Sequence, residues 1–567
     1  MPTIEIDYED FQSLVRVKLP SDLEELNDIL SYVKGEVKLI EGNEVHIEIL
    51  DTNRPDLWCT EGLARALRGY LGIERGLKKY EVKGESGVEV WVDSKLWDIR
   101  PYIACAVVKN VQVDNVIIQQ LMHLQDKMDQ TYGRKRSRTS IGLYNFDLIS
   151  PPLRYGVAKP REISFVPLEF EEELTLEEIL KKHPKGIEYG HLVQSYPVFP
   201  IFMDSKNNVL SFPPIINSND LGRITEDTRN ILIEVTGTVH DTVLSTLSNI
   251  ALSLADREGN IFSVKVHYPY ETLKETMTPQ LKTQVLKIDM NYIQKVLGIE
   301  IKPHEVKDLL ERARFGVIDV KGSEITLEIP CYRVDIMHPI DVMEDIAIAY
   351  DYNKIGARWP SLSTIGEVSP RESFRNLTRE IMVGLGYQEI STFTMSNPNN
   401  LFARMNISRQ RVVEVENPKI TTLTCIRNWL LPSLMEFLSH NIHVEYPQRV
   451  FEVGYCVTLD GKMENRTREL ERLACVTIHS DANFTEIKST LDAFLINIGI
   501  TQYELEAIKH KSFIEGRVGK IIVNNEDIGL IGEIHPQVLE NWKLENPVAT
   551  LEITLDKIYE STPKISE

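Results

Sequence analysis

The sequence is short of positive charge, sparing with cysteine, and without a long apolar run. Lys and Arg total 63 against 84 Asp and Glu, a formal charge of −21. Such a surface does not hold nucleic acid along its whole length, since phosphate binding draws on basic patches that release counterions. A local basic site, or a partner that supplies the basic surface, stays compatible with it. No stretch approaches the ~20 consecutive apolar residues that cross a bilayer. The opening MPTIEIDYEDF carries charge early, so neither a membrane span nor a secretory leader is expected. Cys59, Cys105, Cys331, Cys425, Cys456 and Cys475 form no CxxC pair. They read as reduced structural thiols, and the expected location is the cytoplasm. No Walker loop, Rossmann fingerprint or GxSxG elbow is present. His440 and His443 have the spacing of a metal pair but no third ligand.

What is there is ample material for several cores. At roughly 150 residues per domain, a chain of 567 residues with 42% hydrophobic and 26% charged residues divides into three to five domains. The expected fold class is multidomain α+β. Residues 1–90 read as a small α+β module ending in the helix of DTNRPDLWCTEGLARALRGYLG, capped by Asp56 or Thr60, with Leu63, Ala64, Leu67 and Tyr70 on one stripe. Residues 91–270 form the longest block. It runs through the strand YIACAVVKNVQV, a helix near 117–130, the basic cluster Arg134, Lys135, Arg136 and Arg138, turns at Asn207-Asn208 and Pro213-Pro214, the strand NILIEVTG, and a helix to Asp256. Residues 271–355 read as helix, helix, two strands, helix, the order of a small winged module. Residues 356–567 hold many strands beside amphipathic helices, which suggests an antiparallel sheet.

Two constellations carry chemistry. Asp341, Glu344 and Asp345 have i, i+3, i+4 spacing behind Pro339, with Asp335 just before them. On one helix face these hard oxygen ligands suit Mg²⁺; acids at a helix start equally serve the dipole alone. NSNDLGRITEDTRN gathers Asn217, Asn219, Asp220, Arg223, Thr225, Asp227, Thr228 and Arg229 before a strand containing Glu234, Thr236 and Gly237. Such a loop suits a hydroxylated or phosphorylated ligand, or is a turn saturated by its own hydrogen bonds. The basic cluster divides the same way, between RNA phosphates and a solvated loop. In GLIGEIH the glycines fit a strand-turn-strand rather than a nucleotide loop.

Taken together and in order, DTNRPDLWCTEGLARALRGYLG, PPIINSNDLGRITEDTRNILIEVTGT, PCYRVDIMHPIDVMEDIAIAYDYNKI, FRNLTREIMVGLGYQEISTFTMSNP and VENPKITTLTCIRNWLLPSLMEFLSHN resemble the phenylalanyl-tRNA synthetase β-subunit family. The resemblance is to the shorter archaeal and eukaryotic-cytosolic form and spans essentially the whole chain. It implies an N-terminal α+β module, a B3/B4-type editing domain over 91–270, a B5-type winged domain over 271–355, and a degenerate class II domain over 356–567 that meets an α subunit. It implies an (αβ)₂ heterotetramer that attaches phenylalanine to tRNA(Phe) with ATP, with the synthetic site on α; GLIGEIHP lacks the arginine of the corresponding class II motif.

For the acidic quartet the resemblance implies Mg²⁺ at Asp335, Asp341, Glu344 and Asp345. For the editing block it implies hydrolysis of mischarged Tyr-tRNA(Phe), with Asn217, Arg223, Thr225, Thr228, Glu234 and Thr236 as site residues. Glu234 would read the phenol or orient water, Arg223 would meet the terminal adenosine or the ester, and Asn217 with the threonines would position substrate. No nucleophilic triad is visible, so positioned water is the expected attacker. The rival readings are an architectural, tRNA-positioning subunit without editing and an unrelated acidic binding protein.

Overall fold

The computed structural model describes residues 2–271, 273–362 and 364–561. The chain divides into two compact units, Met1–Trp359 and Pro360–Glu567.

The first unit begins with a three-stranded antiparallel sheet in which Glu44–Ile49 lies between Thr3–Asp7 and Gly35–Glu41. The helix Thr60–Tyr70 follows. Its N-cap is Cys59, whose Sγ accepts from the Gly62 amide at 3.3 Å. Asp56, a candidate cap by sequence, is instead bound by Arg54 through two hydrogen bonds of 2.9 and 2.8 Å. The apolar stripe is buried as the spacing predicts, but so is every other residue of this helix, including Glu61, Arg65 and Arg68. Arg65 pairs with Asp256 at 2.9 Å and lies 4.3 Å over the Tyr332 ring. Glu61 pairs with Arg257, and Arg68 pairs with Glu74 at 3.2 Å. The face that the sequence assigns to water is an ion-paired seam between chain segments far apart in sequence.

The centre of the unit is a ten-stranded sheet. Its path runs Ile216–Asn217, Val209–Phe212, Phe199–Met203, Leu153–Ala158, Glu85–Val92, Asn260–His267, Tyr102–Lys109, Ile231–Gly237, Thr139–Asn145, and Glu275–Thr278 pairs with Asn260–His267. The expected boundaries at 90 and 270 therefore need correction. The first falls inside the strand Glu85–Val92, and the strand Glu275–Thr278 extends the same sheet past the second. Pairing across the sheet, which a linear reading cannot see, decides where the layer ends. The helix His240–Asp256 packs on one face through Val243, Leu247 and Ile250 against Ile233 and Val235, and Leu121, Leu124 and Met128 of the helix Asn115–Gln130 join the same cluster. Leu232, Tyr144 and Phe202 belong to the cluster on the other face. Residues 284–350 add three helices and the sheet Gln284–Asp289, Glu324–Ile329, Gly316–Lys321, one strand more than the sequence suggests.

The second unit has a seven-stranded sheet in the order Gln388–Glu389, Gln448–Leu459, Thr467–Ile478, Val548–Thr554, Glu526–Ile534, Phe513–Val523, Glu504–Ala507, antiparallel except for the first pair. GLIGEIH does not turn: Gly529 and Gly532 lie in one continuous strand. A Cβ on Gly529 would meet the Glu552 carbonyl oxygen at 2.0 Å, so the glycine permits the neighbouring backbone to approach. Glu552 accepts from the Leu430 and Leu431 amides at the start of a helix and from Arg472 at 2.8 Å. No helix among the described residues is long and apolar enough to cross a membrane.

A Cβ at Gly62 would stand 1.7 Å from the Asp56 carbonyl oxygen. Gly62→Ala is therefore expected to destabilise the first unit by at least ~2 kcal/mol. Gly356→Ala, with nothing within 4 Å of the added carbon, is expected to leave the thermal melt unchanged; melting curves of the two variants make the comparison.

Candidate functional site

The strand Ile231–Gly237 is buried along all seven residues and runs antiparallel between Tyr102–Lys109 and Thr139–Asn145. Side chains alternate faces along a strand, so Ile233 and Val235 meet the helices while Leu232, Glu234 and Thr236 face the other way. Glu234 is the strand's one ionisable residue and it forms part of the wall of a cavity of about 690 Å³. The helix Asn115–Gln130, the strand Thr139–Asn145 and the segments 211–217 and 222–224 supply most of the rest.

Glu234 is 2% exposed. Tyr144 donates its phenol hydrogen to Oε2 at 2.6 Å, and the Ser211 hydroxyl lies 3.4 Å from the same oxygen. Burial pushes the carboxyl up to about 7, against the pull of the Tyr144 hydrogen bond and the Arg100 charge. A carboxyl that titrates near neutral pH in the wall of a cavity marks a candidate functional group.

Of the six residues expected in the site, three line this cavity: Asn217, Arg223 and Glu234. Arg223 is exposed, while Asn217 pairs with Ser211 across a short ladder. The turn between them closes tightly because Gly222 has no side chain; a Cβ there would meet Asn217 Cβ at 2.5 Å.

The three threonines do not line the cavity. The Thr225 amide donates to the Thr228 hydroxyl at 3.1 Å, so these two close their own turn. Thr236 accepts from Arg100 Nε at 2.9 Å and sits 3.2 Å from the Ser140 hydroxyl, buried below the cavity wall. Here the self-satisfied turn, one of the two readings open from composition, is what the chain forms.

Sequence reasoning missed Tyr144 and Ser211, and treated the basic cluster as one unit, open between RNA phosphates and a solvated loop. Arg134 and Lys135 are exposed, but Arg136 is buried. It pairs with Asp129 at 2.9 Å, donates to the carbonyls of Pro214 and Ile215 at 3.1 and 2.8 Å, and lies 4.5 Å over the Tyr189 ring. It braces the cavity wall rather than standing in solvent. The only local signal for this set was Gly142 two residues before Tyr144. Neither Ser140 nor Ser211 is bonded to a histidine: Ser140 meets Arg100 and Thr236, and Ser211 meets Glu234.

The acidic quartet is divided. Asp335 accepts from Arg333 at 2.8 and 2.6 Å, and Asp345 accepts from the same guanidinium at 2.7 Å. Asp341 turns back to its own helix start, accepting from the Met337 and His338 amides at 2.9 and 2.7 Å. Glu344 reaches outward to Lys34 at 2.7 Å. Among the described residues no group of three or more His, Cys, Asp or Glu side chains is placed to hold a metal ion. The shared helix face expected for these carboxylates therefore does not form a ligand set. Mg²⁺ requires near-octahedral oxygen ligands, and a guanidinium already bridges the two buried acids. Burial raises the Asp335 pKa, but Arg333 and Arg54 outweigh it and hold the group below its ordinary value.

Comparison with known proteins locates these features. The tRNA synthetase B5 domain family matches residues 286–352, and the phenylalanyl tRNA synthetase beta chain CLM domain family matches residues 355–555. The phenylalanine–tRNA ligase beta subunit of Pyrococcus abyssi is 44% identical over 99% of this chain and 100% of its own length. The chain belongs to the phenylalanine–tRNA ligase β-subunit family. The Methanocaldococcus jannaschii member is 41% identical over 98% of this chain and 100% of its own. An N-terminal fragment of the Pyrococcus horikoshii phenylalanyl-tRNA synthetase β subunit superposes with a TM-score of 0.59 at 42% identity, covering 62% of this chain and 99% of that one. As a member of this ligase family the chain has its place in protein biosynthesis, and the Arg333 cluster lies inside its B5 match.

Arg333→Met would leave Asp335 and Asp345 buried without their shared cation. It is expected to cost ~3–5 kcal/mol, read as a lower melting temperature at neutral pH. Added Mg²⁺ is expected to leave that melt unmoved; a concentration-dependent recovery would assign the two carboxylates to a metal.

Proposed function

We propose that this chain, acting as the β subunit of a phenylalanine–tRNA ligase, hydrolyses tyrosine wrongly esterified to tRNA(Phe) in the cavity walled by Glu234. The observation that carries the reading is a buried carboxyl, flanked by two hydroxyls, facing into an otherwise largely apolar enclosure. Tyrosine exceeds phenylalanine by one hydroxyl, and an apolar synthetic pocket rejects an added hydroxyl poorly. A second pocket that hydrogen-bonds the hydroxyl discriminates in the opposite sense, because a phenylalanyl ester leaves the buried carboxylate without that partner.

A volume of about 690 Å³ lies in the range of small-molecule sites, ~300–1,000 Å³, and suits an aminoacyl group with its terminal nucleoside. Arg223 supplies a cation for the nucleotide, and Asn217 supplies an amide beside the ester. With no serine–histidine pair in the wall, the attacking group is water, oriented by these residues and by the hydroxyls of the ribose.

In this reading the ten-stranded sheet and its helices, residues 85–278, are the editing domain of B3/B4 type, and residues 356–567 are a class-II-like domain that does no chemistry and meets α. The assembly is an (αβ)₂ heterotetramer in the cytoplasm that also binds tRNA(Phe). ATP and Mg²⁺ serve the synthetic reaction on the α subunit. The runner-up is an architectural, tRNA-positioning subunit without hydrolysis.

The test is incubation of the αβ assembly with Tyr-tRNA(Phe) in the absence of ATP. Wild type is expected to release tyrosine, with a rate that rises with pH through about 7 as Glu234 loses its proton and becomes a full acceptor. Glu234→Gln is expected to lose at least ~10-fold in this rate, to flatten that limb, and still to support Phe-tRNA(Phe) synthesis. Persistence of Tyr-tRNA(Phe) with the wild-type assembly favours the architectural role.

A further inference from the structure

We propose that Tyr144 is a positioning residue for this hydrolytic site, its phenol orienting the Glu234 carboxylate and linking it to Asn217. The inference rests on the editing reading above and adds the element that makes the carboxylate selective.

The ladder explains why the contact exists. Gly142 stands opposite Glu234, and Tyr144 stands opposite Leu232. Tyr144 and Glu234 are therefore diagonal neighbours on one sheet face, a separation that aromatic side chains bridge. The bridge runs through the space where a side chain at 142 would sit. A Cβ on Gly142 would lie 2.2 Å from Tyr144 Oη and 2.5 Å from Glu234 Oε2. The ring itself is fixed: Tyr144 is fully buried, 6.2 Å from the Phe202 ring centroid and within the cluster that holds Leu210 and Leu232.

The phenol has one hydrogen, and at 2.6 Å it is committed to Glu234. Its oxygen keeps lone pairs for a donor. The Asn217 side-chain amide is the neighbour at 3.5 Å. The two ends of an amide are nearly isosteric, and turning this one by 180° directs an N–H at the phenol oxygen. Asn217, Tyr144 and Glu234 then form one chain of hydrogen bonds from the ester end of the cavity to the end that reads the hydroxyl. The interaction Tyr144 makes with Glu234 is the same in kind as the one a tyrosyl substrate would make. Its function is to hold the carboxylate in place before the substrate arrives, so that binding a second phenol needs no reorganisation.

Tyr144→Phe in the αβ assembly removes the hydroxyl and keeps the ring. Deacylation of Tyr-tRNA(Phe) and Phe-tRNA(Phe) is to be measured across neutral pH. The ratio of the two rates is expected to fall at least ~10-fold. The Glu234 limb is expected to move to higher pH, because a donor that favours the charged carboxylate is lost. A residue that only fills space would not move that limb. In a Glu234→Gln background the same substitution is expected to change the ratio less than ~2-fold, as for residues acting through one group.

Gly142→Ala, which drives a methyl between the two oxygens, is expected to lower the ratio as well and serves as the second variant. An unchanged ratio with an unmoved limb overturns the proposal, and so does an equal effect with and without the Glu234 carboxylate. A wild-type assembly that leaves Tyr-tRNA(Phe) intact overturns the editing reading itself. A wild type that deacylates, fails as Glu234→Gln and is indifferent to Tyr144→Phe overturns the role of Tyr144 alone.

Discussion

The first unit depends on a helix that has no solvent side. Thr60–Tyr70 carries Glu61, Arg65 and Arg68 on turns that an isolated amphipathic helix would leave in water, yet all of its residues are buried. A buried charge is tolerable only when paired, and breaking such a pair costs ~3–5 kcal/mol. Each of these residues therefore dictates a neighbour. Arg65 requires Asp256 at the end of a helix nearly 200 residues on, with Tyr332 stacked over it. Glu61 requires Arg257, and Arg257 in turn binds Asp10. The segments so collected come from the N-terminal module, the end of the helix packed on the ten-stranded sheet, and the 284–350 module. Paired charge adds a geometric demand to the continuous apolar cluster that joins those pieces.

The cavity follows the same economy in miniature. Glu234 sits in a strand of Ile, Leu and Val, and burial would leave it an expensive orphan. Tyr144 and Ser211 prevent that, and the remaining penalty appears as a carboxyl titrating near 7 rather than near 4.5. The property that makes the site interesting is thus a by-product of where the strand lies. Arg136 contributes from below by binding the carbonyls of Pro214 and Ile215. The wall that presents Asn217 is held by a buried charge that itself lines the cavity.

The contrast with the B5 cluster is instructive. There too acids are drawn together, but Arg333 lies between Asp335 and Asp345, and Arg54 stands 3.7 Å from Asp335. Sequence spacing placed Asp341, Glu344 and Asp345 on one helix face with Asp335 just before it. That inference gave Arg333, two residues before Asp335, no part as a counter-ion, and could not see Lys34, contributed from over 300 residues away. Similarly, Thr225 and Thr228 look like ligand contacts in a list of polar residues, whereas three-residue spacing is also the spacing of a self-bonded turn. Asn217, Arg223 and Glu234 were legible because they flank one strand and one turn. Tyr144, Ser211 and Arg136 were not, since their importance arises from pairing between strands that the linear order keeps apart.

By itself the sequence determined the family, the order of the elements and the periodic burial of strands such as Ile231–Gly237 and helices such as His240–Asp256. These are local properties: alternation, helical spacing and turn residues act within a few positions. Only the tertiary structure decided that the sheet begins at Glu85 and extends past 270, that the polar face of Thr60–Tyr70 is interior, and that Gly142 leaves room for a tyrosine to reach a glutamate. Those depend on which segment becomes whose neighbour, and the charge state of Glu234 depends on them in turn. A carboxyl in water and the same carboxyl under a sheet are different reagents, and no count of acids and bases along the chain distinguishes the two.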